Sequence, residues 1–134
     1  MTRIVVDAMG SDEHPFPDVE GAVMAALEYG VEIVLVGDES KIRPALATVN
    51  PADLPVSIVN APETLTMEDK GMKLVLKARR PNSQNSMAVG IDLVKNGEAD
   101  AFVTAGNTGA AMVSAYFRLG TIPGVDLPAL APVF

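Results

Sequence analysis

The sequence predicts an α/β fold: a doubly wound, mostly parallel sheet with helices on both faces. Three observations carry that expectation. Short apolar runs alternate with helix-period segments along the chain, the turns between them are a few residues long, and neither repeats nor low-complexity stretches interrupt the pattern. A chain of 134 residues suits one domain with a real core. At 49% hydrophobic and 20% charged residues, disorder is excluded.

Taken in order, Ile4-Val-Val6 is a buried strand ending at Asp7. From Asp18 to Tyr29, Val19, Ala22, Val23, Ala26 and Leu27 recur on one helix face, with Pro17 in the first turn and Gly30 as the stop. Glu32–Val36 is a second strand closed by Gly37-Asp38, Lys41–Thr48 a short helix, and Pro55–Val59 a third strand. After an irregular segment from Asn60 to Asp69, Lys70, Lys73 and Lys77 share one face if their segment is helical. Met87, Ile91 and Val94 mark a helix with Ser86 as its N-cap and Asn96-Gly97 at its end. Ala101–Val103 is the fourth strand, and Met112, Val113, Tyr116, Phe117 and Leu119 line the helix after it. Pro128–Phe134 reads as the start of another strand. Because that apolar end lacks a crossover, residues 1–134 are expected to be the N-terminal part of a single, truncated α/β domain.

Composition narrows the function. No apolar run approaches the roughly 20 residues of a membrane span, and the first residues do not form a signal peptide. The absence of cysteine removes disulfides and thiolate catalysis and fits a cytoplasmic protein. A net charge of −7 argues against nucleic acid. Against that background, Lys70, Lys73, Lys77, Arg79 and Arg80 supply half of the 10 basic residues. This local positive patch suits an anionic ligand or an acidic partner, although a solvated helix face is the plainer reading.

In an open α/β sheet, ligands bind beyond the carboxyl ends of the strands. Three such ends carry polar or glycine-rich turns: Asp7–Asp12, Gly37–Ser40 and Thr104–Gly109. The last is the best anion candidate. Gly106 can take a positive φ and admit close backbone approach, and Gly109 would let the helix lie tight on the sheet. First-turn amides, the Asn107 amide and the Thr108 hydroxyl are the donors. On spacing alone, a strand-to-helix turn capped by Asn107 or Thr108 is the plainer reading of the segment. It is neither a Walker loop nor a dinucleotide fingerprint. Ser86, six residues past Arg80, is either a second phosphate seat or an ordinary cap. Asp7 and Asp12 read as turn-bonded carboxylates rather than metal ligands or bases. With His14 the one histidine, a His-based metal cluster is excluded. In its Pro-rich loop His14 reads as a surface residue rather than a general base, and no Ser-His-Asp set can be argued from it.

Four segments in this order, "VVDAMGSD" at 5–12, "TLTMEDK" at 64–70, "NSMAVGIDLVKNGEADAFVTAGNTGAAM" at 85–112 and "RLGTIPGVDLPALAPVF" at 118–134, resemble the N-terminal part of the phosphate acyltransferases of bacterial phospholipid synthesis. The chain departs from the family pattern at Ser11, where glycine is usual, at Gly71, where proline is usual, and at Asn85, where serine is usual.

The resemblance implies a fold related to phosphotransacetylases and the isopropylmalate dehydrogenase group. It implies a cytoplasmic homodimer, with a peripheral position at the inner face of the membrane as a further expectation. The implied reaction moves a fatty acyl group from acyl carrier protein to inorganic phosphate, giving acyl phosphate. The nucleophile is the substrate, so no protein serine or cysteine, metal or cofactor is called for. On this reading Asn107 and Thr108 are catalytic, and Gly106, Gly109, Ser86, Asp7 and Gly10 hold the phosphate or thioester. Lys73, Lys77, Arg79 and Arg80 attract the carrier or the phosphate. The alternatives are a short-chain phosphotransacetylase using coenzyme A and a non-catalytic binding module or fragment.

Overall fold

The computed structural model describes residues 1–133. In chain order the elements are β1 (Arg3–Asp7), α1 (Phe16–Tyr29), β2 (Glu32–Gly37), α2 (Glu39–Val49), β3 (Val56–Asn60), α3 (Gly71–Arg79), α4 (Ser86–Lys95), β4 (Ala101–Val103) and α5 (Thr108–Leu119). The four strands form one parallel sheet in the order β3-β2-β1-β4. Val5 sits at its centre, in register with Val34 of β2 and Phe102 of β4.

Alternate strand residues face opposite layers, which makes the fold doubly wound. Ile33 and Leu35 pack with Val19, Ala22 and Ala26 of α1 and Ile42 of α2 on one face. Val5, Val34 and Val36 pack against Val89, Leu93 and Val94 of α4 on the other. A third cluster joins Leu65, Leu74, Met87 and Ala110, seating α3 and α5 on α4. At Gly90 an added Cβ would lie 2.5 Å from the Phe102 ring, so α4 approaches β4 as closely as a missing side chain allows.

Most helix boundaries follow the local chemistry. Gly30 ends α1 at φ 62°, its N–H bonded to the Ala26 carbonyl, and Asp38 caps α2 through the Ser40 amide. Four expectations need correction. Leu27 is 72% exposed, because α1 meets the sheet only through Val19, Ala22, Val23 and Ala26. The cap of α4 is Asn85, whose Oδ1 accepts from the Ala88 amide at 2.8 Å, while Ser86 is the first helical residue. Helix α5 buries Ala110 and Ser114, because its small face packs against α3 and α4, and Phe117 and Leu119 stay exposed. Residues 128–133 form no strand: Pro128 and Pro132 have no N–H to offer a ladder. Phe134 lies outside the described residues.

Candidate functional site

The chain runs from β1 outward through β2 to β3, then returns to place β4 on the other side of β1. The strand order therefore reverses between β1 and β4, and loops leaving adjacent strand ends in opposite directions open a crevice there. Asp7 ends β1 and Thr104 follows β4. The Thr104 hydroxyl donates to Asp7 Oδ2 at 2.7 Å, and the Met9 amide donates to Asp7 Oδ1 at 3.0 Å. Thr104 Oγ1 in turn accepts from the Gly106 amide at 3.0 Å. The buried Asp7 carboxylate thus ties two loops together, as its turn-bonding reading expects.

Glycine makes that junction possible. A Cβ on Gly10 would stand 2.9 Å from both the Gly106 amide nitrogen and Thr104 Oγ1, closer than real Cβ atoms come. A Cβ on Gly106 would meet Met87 Cε at 3.0 Å and Gly10 Cα at 3.3 Å. Gly106 is thus needed for close approach and not for a positive φ, which it does not adopt. Gly109 does not serve tight helix packing, since its Cβ would meet only Asn107 Oδ1, at 3.4 Å.

Asn107 caps α5, its Oδ1 accepting from the Ala110 amide at 3.0 Å. Its Nδ2 donates to the Thr66 carbonyl at 3.2 Å and more weakly to the Asp69 carbonyl at 3.4 Å. The side chain therefore fastens the 64–69 segment over the site. With Ala110 taken by the cap, the amides of Thr108 and Gly109 are left at the open first turn of α5.

Asp69 anchors the far end of that segment. It is buried, and its carboxylate accepts from Lys77 Nζ at 2.7 Å and the Thr66 amide at 3.0 Å, with Lys73 Nζ at 3.4 Å. The Lys77 hydrogen bond first, and then the Thr66 amide, lower its pKa to about 2. Lys73 and Lys77, expected to face a ligand or partner, are held by this carboxylate.

Two cavities flank the segment and share Thr64 and Leu65 in their walls. One, of about 160 Å³, is lined by Gly10, Ser11, Asp12, His14, Thr66 and Asn107, among others. The other, of about 370 Å³, lies at the start of α4 between Glu63, Lys77, Arg80, Ser83 and Asn85. Gly10 and Asn107 thus meet at one cavity, and Lys77 and Arg80 at its neighbour. Ser86 is fully buried, and its hydroxyl has no partner among the described residues. Thr108 instead lines an apolar groove of about 700 Å³ along β4, with Phe102, Met112 and Leu119. Arg79 stacks over Phe117, 5.4 Å from the ring centroid.

Sequence reasoning did not single out Thr104 or Thr66. Thr104 carries the one usable signal, a hydroxyl directly after a strand. His14 is exposed in the loop before α1, its Nδ1 2.9 Å from the Ser11 carbonyl oxygen, and borders the smaller cavity.

Comparison with known proteins converges on one group. The chain is 51% identical over 132 residues to the phosphate acyltransferase of Koribacter versatilis (strain Ellin345), covering 98% of this chain and 36% of that protein. It is 48% identical over 128 residues to the phosphate acyltransferase of Gloeobacter violaceus, covering 96% and 36%. It is 46% identical over 132 residues to that of Geobacter sulfurreducens, covering 98% and 37%. The chain therefore spans little more than a third of the length of these relatives. The family model described as fatty acid synthesis protein matches residues 2–134, and the chain belongs to that family.

Proposed function

We propose that this chain supplies part of the site at which a fatty acyl group passes from an acyl carrier protein thioester to inorganic phosphate, forming acyl phosphate for phospholipid synthesis. The observation that carries the reading is the switch-point crevice itself. It offers open first-turn amides of a 12-residue helix beside two glycines in backbone contact. The relatives named phosphate acyltransferase support it.

A phosphate oxygen attacks the thioester carbonyl carbon, the C–O bond forms, and the C–S bond breaks with the electron pair leaving on sulfur. Such a reaction needs the phosphate held in place and donors aimed at the developing oxyanion. The Thr108 and Gly109 amides are the groups for that task. Asn107, expected to touch substrate, is better assigned a positioning role, because its amide hydrogens already hold Thr66 and Asp69. Asp7 and Gly10 set the distance between the two loops. The same reading includes a cytoplasmic homodimer at or near the inner membrane surface. Among the described residues no helix is long and apolar enough to cross a membrane.

The test is hydroxylamine trapping of acyl phosphate, using a polypeptide of the relatives' full length that carries this chain. Acyl carrier protein and coenzyme A thioesters are compared as donors. Hydroxamate from the carrier-linked donor and phosphate is the expected result. No trapped product defeats the reading, and product from short coenzyme A thioesters alone replaces it with phosphotransacetylase chemistry.

A further inference from the structure

Helix α3 turns Leu74 and Ala78 inward and leaves Met72 and Leu76 71% and 64% exposed. Spaced four apart, the two side chains form one apolar strip on the helix surface. Positive charge surrounds it. Residues 70–80 contain no carboxylate, and Lys70, Arg79 and Arg80 are exposed. Lys73 and Lys77 share the single charge of Asp69, so even the paired lysines leave a positive excess. Glu63 lies 3.9 Å from Arg80, while Lys70 and Arg79 have no carboxylate partner among the described residues, so on a chain of net charge −7 this helix is a local cationic patch.

Its position matters as much as its charge. Lys77 and Arg80 line the cavity at the start of α4, and that cavity shares Thr64 and Leu65 with the one bordered by Gly10 and Asn107. A partner seated on α3 would stand at the rim of the proposed reaction site.

We propose that α3 is the docking face for the acyl donor: a small acidic protein that lays an apolar helix strip on Met72 and Leu76 and pairs its carboxylates with Arg79, Arg80 and Lys70. This rests on the acyl-transfer reading above. A cationic rim around a small apolar centre suits an acidic protein surface. A membrane is the weaker fit, because interfacial helices bury a broad apolar face and α3 spans only 9 residues.

The experiment uses a polypeptide of the relatives' full length and a bacterial acyl carrier protein. The double variant Met72→Glu, Leu76→Glu is compared with the parent, as both residues project into solvent and lie outside the reaction site. The KM for carrier-linked acyl thioester is expected to rise at least about tenfold. The kcat/KM for the same acyl group on pantetheine should stay within about twofold. Calorimetric binding of the carrier without its acyl group should be lost in parallel.

Unchanged KM and carrier binding overturn the proposal, and so does equal impairment with both donors. Conversion of an oligomer to monomer by light scattering, with carrier binding kept, makes the face an interface between copies instead. Loss of binding to phosphatidylglycerol vesicles, with carrier binding kept, makes it a membrane surface. Carrier binding that is lost in the variant while the parent forms no acyl phosphate would uphold the docking face and defeat the acyl-transfer reading.

Discussion

The Thr104 hydroxyl donates to the Asp7 carboxylate at 2.7 Å, joining the carboxyl ends of β4 and β1 where the strand order reverses. The same oxygen accepts from the Gly106 amide, so one hydroxyl serves both loops. Thr104→Val keeps the shape and removes both bonds, leaving a buried carboxylate short of a donor. It should destabilise the chain by about 2–4 kcal/mol in urea unfolding, whereas Thr104→Ser should stay within about 1 kcal/mol. Equal losses in the two variants would assign the effect to the methyl group instead.

Gly10 and Gly109 should respond oppositely to alanine. At Gly10 the new Cβ meets backbone at 2.9 Å, so the loops must separate, at a cost of about 1–3 kcal/mol. At Gly109 it meets ordinary contact at 3.4 Å inside a helix, where alanine is neutral or stabilises by up to about 1 kcal/mol. Because Gly109→Ala keeps the backbone amide, phosphate affinity in a full-length polypeptide should change by less than about twofold. Thermal unfolding and phosphate calorimetry read the two effects. A Gly109→Ala variant that folds normally but no longer binds phosphate would show that the ligand needs the space and not the amide.

Asn107 separates capping from positioning. Asn107→Ala loses the cap, worth about 1 kcal/mol, and both bonds to the 64–69 segment. Asn107→Asp retains an acceptor for Ala110 but loses the donors and sets a carboxylate oxygen against the Thr66 and Asp69 carbonyls. Acyl-phosphate formation should fall at least about tenfold in both, about 1.4 kcal/mol, and only the alanine variant should show the further stability loss of the missing cap. A folded Asn107→Ala protein with the parent's rate would remove Asn107 from the site.

The layered fold was legible because strand and helix periods are local properties. Val19, Ala22, Val23 and Ala26 announce their helix from spacing alone, and each is buried. The cap of α4 was misplaced by one residue because Asn85 and Ser86 are both good caps. What decides between them is the pairing of Glu63 with Asn85, twenty-two residues apart in sequence. The bonds from Asn107 to Thr66 and Asp69 have no periodic trace, since an irregular segment can fold back anywhere. The ion pairs of Asp69 were within reach. It stands four and eight residues before Lys73 and Lys77, helical spacing that reads as a pairing once the carboxylate is counted with the lysines.

That carboxylate also sets a pH dependence. Lys77 and then the Thr66 amide bond the ionised form of Asp69 and lower its pKa from the ordinary 3.8 to about 2 in the folded chain. A depressed pKa means that the stabilisation is fully present above 3.8 and lost as pH falls through about 2. Urea midpoints should therefore drop across that window in the parent, and the drop should shrink in Asp69→Asn. That variant should also be less stable at neutral pH by about 1–3 kcal/mol, since the Thr66 amide and the lysines lose a charged acceptor. The loss belongs first to the 64–69 segment. Amide exchange at Thr66 and Asp69 should rise in Asp69→Asn before exchange at Val5 and Leu35 in the sheet. Equal acid sensitivity in parent and variant would place the stabilising carboxylate elsewhere.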